Sequence, residues 1–66
     1  MLTVNAPPTV PVGRVKSLGA LGPKYQVGRP LHMLADGDWM VEITLIESGE
    51  RTPYRLSRLL MDPEGL

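Results

Sequence analysis

Hydrophobic and polar residues alternate along residues 39–47, where every second side chain from Trp39 to Leu45 is apolar. This period of two is the spacing of a β-strand with one buried face, and a helix would scatter the same residues around its surface. Ser48-Gly49 follows and suits a two-residue turn, because glycine accepts a positive φ. Residues 39–56 are therefore predicted to form one β-hairpin, around which the domain is organised.

Counting outward from that turn predicts the register of the hairpin. Ile43 falls opposite Tyr54, so rings and branched side chains from both strands share one inner face. Glu42 falls opposite Arg55 on the other face, as an opposite-charge pair. Pro53 falls at a position that is not hydrogen-bonded to the first strand, which predicts that the second strand, residues 50–56, is a sheet edge.

The flanking segments extend this hairpin. Residues 24–34 predict a strand interrupted by a bulge at Gly28-Arg29-Pro30, and Asp36-Gly37 predicts the turn into the next strand. Residues 10–17 predict a short edge strand. The expected fold is mainly β, a small antiparallel meander of three or four strands, with closure toward an SH3-like barrel as the more compact alternative.

The two ends of the chain carry different signals. Residues 1–9 are rich in proline and predict a flexible arm, whereas residues 10–66 form the single small domain. Near the C-terminus, Ser57 is expected to cap one helical turn over residues 58–61, and Pro63 to stop it.

Length and composition narrow the class of protein. A chain of 66 residues buries only a modest core, so the hairpin needs a cover from elsewhere. The absence of cysteine excludes disulfides and thiolate metal sites. The N-terminus does not resemble a secretory signal, and no stretch is long and apolar enough for a membrane span. We expect a cytoplasmic protein that has no cofactor, no metal and no membrane partner.

The net charge is zero, but the charges are unevenly distributed. Residues 1–35 carry four cations and no acid, and residues 36–66 carry seven acids against three arginines, which gives +4 and −4. Two explanations remain open. The halves complement each other within the fold, or the basic half faces an acidic protein or nucleic acid.

Candidate catalytic and metal-binding residues are weak. Asp36-Gly37-Asp38 resembles the start of a calcium loop but lacks its later ligands, so a solvated turn is favoured. His32 has no triad or clustered acid to work with, which favours a surface role. Gly19, Gly22 and Gly28 match no phosphate-loop spacing. We therefore expect a chain that is not an enzyme.

A resemblance supports the picture of a free-standing domain. Gly22-Pro23-Lys24-Tyr25, the turn Asp36-Gly37-Asp38-Trp39 and Tyr54-Arg55-Leu56-Ser57 with the following Asp62-Pro63-Glu64 make the chain similar to a family of short bacterial proteins catalogued as a domain of unknown function. The resemblance implies a small domain from a bacterium or its phage, and it implies no activity.

Two functional hypotheses follow. The first is a non-catalytic protein-binding module, a small regulatory or inhibitory subunit that is bound to a protein partner or forms a homodimer, and that acts through its edge strand and a surplus apolar face. Its predicted contact residues are Met40, Ile46, Arg51, Pro53, Arg55, Leu60 and Met61. The alternative is a small β-barrel that binds nucleic acid. It would use Arg14, Lys16, Lys24, Tyr25 and Arg29.

Overall fold

The computed structural model describes residues 7–65, and these form one antiparallel sheet and one short helix. The strands are β1 (Val15–Ser17), β2 (Lys24–Met33), β3 (Trp39–Leu45) and β4 (Arg51–Arg55), followed directly by α1 (Leu56–Met61). The order in the sheet is β1-β2-β3-β4, which is a meander. The predicted mainly-β fold with a C-terminal helix is confirmed. The sheet is open and does not close into an SH3-like barrel.

The predicted bulge in β2 is present. The pairing of β2 with β3 shifts register between Val27 and Pro30, and again between Pro30 and His32. At Gly28 the backbone of β3 lies so close that an added Cβ would sit 2.6 Å from the carbonyl oxygen of Glu42. Only glycine fits there without displacing the backbone, and the bulge bends the longest strand of the sheet.

The register predicted for β3 and β4 is wrong by two residues. Val41 pairs with Tyr54 and Ile43 with Thr52, so Glu42 lies opposite Pro53 instead of Arg55. The cause is the turn, which is a four-residue loop over residues 46–49. The amide of Gly49 donates to the carbonyl of Leu45 at 2.8 Å, and Gly49 has a φ of 76°.

The assignment of faces survives this shift, because a displacement of two residues leaves each side chain on its original side of the sheet. Ile43 is buried in the core, and Tyr54 packs against this core from the same side of the sheet, as predicted. Leu45 donates its amide to the carbonyl of Glu50, and from there hydrogen-bonded pairs alternate with pairs that are not hydrogen-bonded. Pro53 falls in a pair that is not hydrogen-bonded, so its nitrogen points away from β3. The predicted edge position of β4 is confirmed.

The core lies between one face of the sheet and α1. It consists of five fully buried side chains: Tyr25, Val27, Val41, Ile43 and Leu59. Five half-buried apolar residues pack around them: Val10, Leu18, Leu45, Tyr54 and Leu56. The sheet thus receives its cover from both the segment before β1 and the helix after β4.

The chain returns to the first strand after α1. Ser17 donates its amide to Pro63, Gly65 donates to Val15, and Lys16 lies opposite Glu64 in an antiparallel bridge. Residues 63–65 therefore cover the edge of β1 that β2 leaves open. Of the two edges of the sheet, only that of β4 is free within the described residues.

The structure tests part of what was predicted for the N-terminal arm and for the C-terminal helix. Residues 1–6 of the predicted arm lie outside the described residues, and residues 7–9 form no helix or strand. The helix is longer than predicted, beginning at Leu56, and it ends before Pro63 as expected. Between residues 7 and 65, no helix is long and apolar enough to cross a membrane.

Candidate interaction surfaces

Two tyrosines and one aspartate join the helix to the sheet. The hydroxyls of Tyr25 and Tyr54 each donate to Oδ2 of Asp62 at 2.8 Å, and the amide of Gly19 lies 3.3 Å from Oδ1. The two rings meet edge to face, with their centroids 5.5 Å apart. This group, which we call the Asp62 cluster, connects β2, β4, the end of α1 and the loop after β1.

The surroundings of the cluster disfavour ionisation of both phenols. Burial raises the pKa of Tyr25 far above its ordinary value, and the hydrogen bond to Asp62 and the negative charge of Asp62 raise it further. Burial and Asp62 also raise the pKa of Tyr54. Both side chains thus stay neutral donors, which suits a structural role better than acid–base chemistry.

Lys16 is buried beneath the helix, with 6% of its surface exposed. Its ammonium Nζ donates to the carbonyl oxygen of Leu59 at 2.6 Å. Leu59 is in the last turn of α1, where its carbonyl also accepts the amide of Asp62 at 3.3 Å and where a cation is favourable. Lys16 therefore stabilises the end of the helix.

A second polar group lies at the opposite end of the sheet. Arg55 Nη1 is 2.8 Å from Asp36 and 3.2 Å from Asp38. Asp38 also accepts hydrogen bonds from the amides of Trp39 and Ser57 and from the Ser57 hydroxyl. We call these residues the Asp38 cluster. It ties the turn between β2 and β3 to the start of α1.

The Asp38 cluster corrects two predictions. Arg55 pairs with Asp36 and Asp38 and not with Glu42, because the register places Arg55 opposite Met40, near the turn. Ser57 does not cap the helix, because it is already the second helical residue. The N-cap is Arg55, which forms no capping side-chain hydrogen bond.

The charges in this cluster are mutually stabilising. The hydrogen bond from Arg55 lowers the pKa of Asp36, and that from Ser57 is the main cause that lowers the pKa of Asp38. Asp36 in turn raises the pKa of Arg55. Both carboxylates of the predicted turn are thus engaged by protein donors. Within residues 7–65, no three histidine, aspartate or glutamate side chains gather as metal ligands.

The predicted partner-binding residues do not form one surface. Met40 is half-buried on the face of the sheet away from the helix, and Ile46 is 53% exposed in the loop beyond the other end of β3. Six residues of strand separate them by about 20 Å. Leu60 and Met61 are exposed on α1, at 60% and 87%. Arg51, Pro53 and Arg55 are exposed on β4.

The residues proposed for nucleic-acid binding are also dispersed. Lys16 and Tyr25 are buried, so neither can contact a phosphate or stack on a base at the surface. Arg14 is exposed and lies 2.7 Å from Glu64, which pairs the basic half of the chain with the acidic half. Lys24 and Arg29 are exposed.

Sequence reasoning missed a groove at one end of the sheet. Pro23, Leu45, Glu47 and Ser48 line a groove of about 460 Å³ between the loop before β2 and the loop after β3. A neighbouring depression of about 410 Å³ shares Pro23 and Glu47 and adds Gly22, Lys24 and Ile46. We call the first the tip groove. Its signal in the sequence is weak, since its walls come from two loops that only the fold brings together.

The described residues define a small open antiparallel sheet covered by a single short helix. The family described as "Family of unknown function (DUF5397)" matches residues 3–65, and the chain belongs to this family. The match confirms the expected family resemblance and includes most of the predicted arm. A relative from Haemophilus influenzae, described as "Uncharacterized protein", is 51% identical over 56 residues, which cover 85% of this chain and 89% of the relative.

Proposed function

We propose that the chain is a non-catalytic protein-binding module, a small regulatory or inhibitory subunit. The observation that carries this proposal is the distribution of large apolar side chains. Among residues 7–65, five such side chains are buried in the core, whereas seven are exposed: Val12, Leu21, Leu31, Met33, Ile46, Leu60 and Met61. Burial against a partner supplies the contact that so small a core cannot give them.

In this proposal the partner is bound by side chains of the module, and not by adding a strand of the partner to the edge of the sheet. Residues 63–65 already pair with β1, which leaves β4 as the available edge. There Pro53 removes the central outward-facing amide, and the exposed Arg51 and Arg55 flank it. Proline and charge on an edge strand oppose pairing with another strand. We therefore assign binding chiefly to α1 and to the two loops that line the tip groove.

Nucleic-acid binding is the alternative and has less support. All three aromatic residues lie on the helix side of the sheet, because Tyr25 and Tyr54 join the Asp62 cluster and Trp39 shares the face of Val41. The outer face therefore offers no ring for base stacking. Titration with single-stranded and duplex oligonucleotides at two salt concentrations tests this alternative, since phosphate contacts weaken steeply with salt.

The proposal is tested by photo-crosslinking in living bacteria. A photoreactive amino acid replaces Met61 in one sample and Gln26, which is exposed on the outer face of β2, in the matched control. We expect a protein adduct at position 61 and little or none at position 26. Equal adducts at both positions, or none at either, would contradict the proposal.

A further inference from the structure

The outward side of α1 is both basic and apolar. α1 contains one basic residue, Arg58, and no acidic residue. Arg58 and Met61 are three residues apart and so lie on the same side of the helix, next to the exposed Leu60. We call these three residues the α1 knob. The ion pairs within residues 7–65 do not include Arg58.

The tip groove has the complementary character. Pro23 and Leu45 give it apolar walls, and Glu47 stands at its rim. Glu50 is exposed at the end of the same loop. Neither glutamate belongs to an ion pair within the described residues. The groove can therefore accept an apolar side chain that carries a cation beside it.

The knob and the groove are neighbours on the molecule. Asp62, which follows Met61, accepts a hydrogen bond from Tyr25 at 2.8 Å. Tyr25 is the direct pairing partner of Leu45, which lines the groove. A two-fold dimer requires one patch that contains both complementary halves, so that each subunit gives and receives the same contact.

We infer that a second copy of this chain occupies the tip groove. The α1 knob of each subunit enters the groove of its partner, with Leu60 and Met61 against Pro23 and Leu45 and with Arg58 beside Glu47. This inference rests on the proposed function and names the partner of the same surface. It predicts a reversible dimer that is weakened by salt, because the charged rim remains near solvent.

Sedimentation velocity over a wide range of concentrations tests the inference by charge exchange. Glu47→Arg and Arg58→Glu should each raise the dimer dissociation constant about tenfold or more, since each places like charges together. The double variant, in which the two charges are exchanged, should regain most of the lost affinity. Arg29→Glu, at an exposed position on the bulge of β2, is the matched control and should leave the dimer unchanged.

Three outcomes would overturn the inference. These are a wild-type chain that stays monomeric at every concentration, single variants that dimerise as the wild type does, and a double variant that shows no recovery. Circular dichroism tests whether each variant folds. If a charge-reversed variant does not fold, the neutral variant at the same position, Glu47→Gln or Arg58→Gln, is measured in its place. A different protein captured at position 61 by a monomeric chain would overturn the dimer but preserve the proposed function.

Discussion

The carboxylate of Asp38 accepts a hydrogen bond from the backbone amide of Ser57 at 3.2 Å, so the turn between β2 and β3 caps the helix that follows β4. Arg55 stands at the N-cap position but supplies no side-chain acceptor. The first amides of a helix have no partner within it, so an acceptor from elsewhere is needed. Asp38 fills that role and fixes where α1 begins relative to the sheet.

Asp38→Ala should lower the melting temperature by several degrees. The substitution removes the acceptor of the amides of Trp39 and Ser57, and it removes one of the two carboxylates that hold Arg55. Thermal unfolding followed by circular dichroism measures the change.

Asp36→Ala is the matched control for Asp38→Ala. Asp36 also binds Arg55, but it accepts no helix amide, so its loss should lower the melting temperature less. Equal effects of the two substitutions would show that the ion pairs, and not the helix cap, stabilise this end of the domain.

The hairpin shows what periodicity can and cannot predict. Alternation from Trp39 to Leu45 assigns the buried face correctly, because any register that differs by two residues keeps the same face inward. The register itself depends on the turn. Ser48-Gly49 is compatible with a two-residue turn, but the bond from Gly49 to Leu45 closes a four-residue loop. Local sequence did not distinguish these turns.

Polar contacts over long sequence separations were the least predictable part of the candidate site. The nucleic-acid hypothesis required Lys16 and Tyr25 to lie at the surface, yet both are buried. Their partners are Leu59, which lies in α1, and Asp62, which follows α1 directly. Only the return of the chain to β1 brings these residues together, and neither composition nor spacing reports that return.

Removing both tyrosine hydroxyls should cost more than the sum of the single changes. In Tyr25→Phe or Tyr54→Phe, Asp62 keeps the other phenol, and we expect a loss of roughly 1.5–3 kcal/mol, as for other hydrogen bonds to charged groups. In the double variant both donors to Oδ2 are gone. Chemical denaturation of the four proteins gives the coupling energy. Additive effects would mean that the two hydroxyls stabilise the domain independently.

Stability should fall as the pH rises above about 10. The pKa values of Tyr25 and Tyr54 are raised in the folded state, so folding stabilises the neutral phenols. This contribution is complete below the pKa of unfolded tyrosine and is lost as the pH increases beyond it. The chain has two tyrosines, and both belong to the cluster. Phenolate absorbance should therefore appear together with unfolding, and titration of either tyrosine at its ordinary pKa in the folded protein would contradict the cluster.

Adjacent leucines on α1 should separate folding from binding. Leu59 is fully buried and Leu60 is 60% exposed. Leu59→Ala should cost about 2–5 kcal/mol, since it removes a buried side chain and leaves a cavity. Leu60→Ala should change stability by no more than about 0.5 kcal/mol. Chemical denaturation measures both, and sedimentation velocity then shows whether Leu60→Ala weakens the dimer while the fold is intact. A large loss of stability in Leu60→Ala would place that side chain in the core and remove it from the α1 knob.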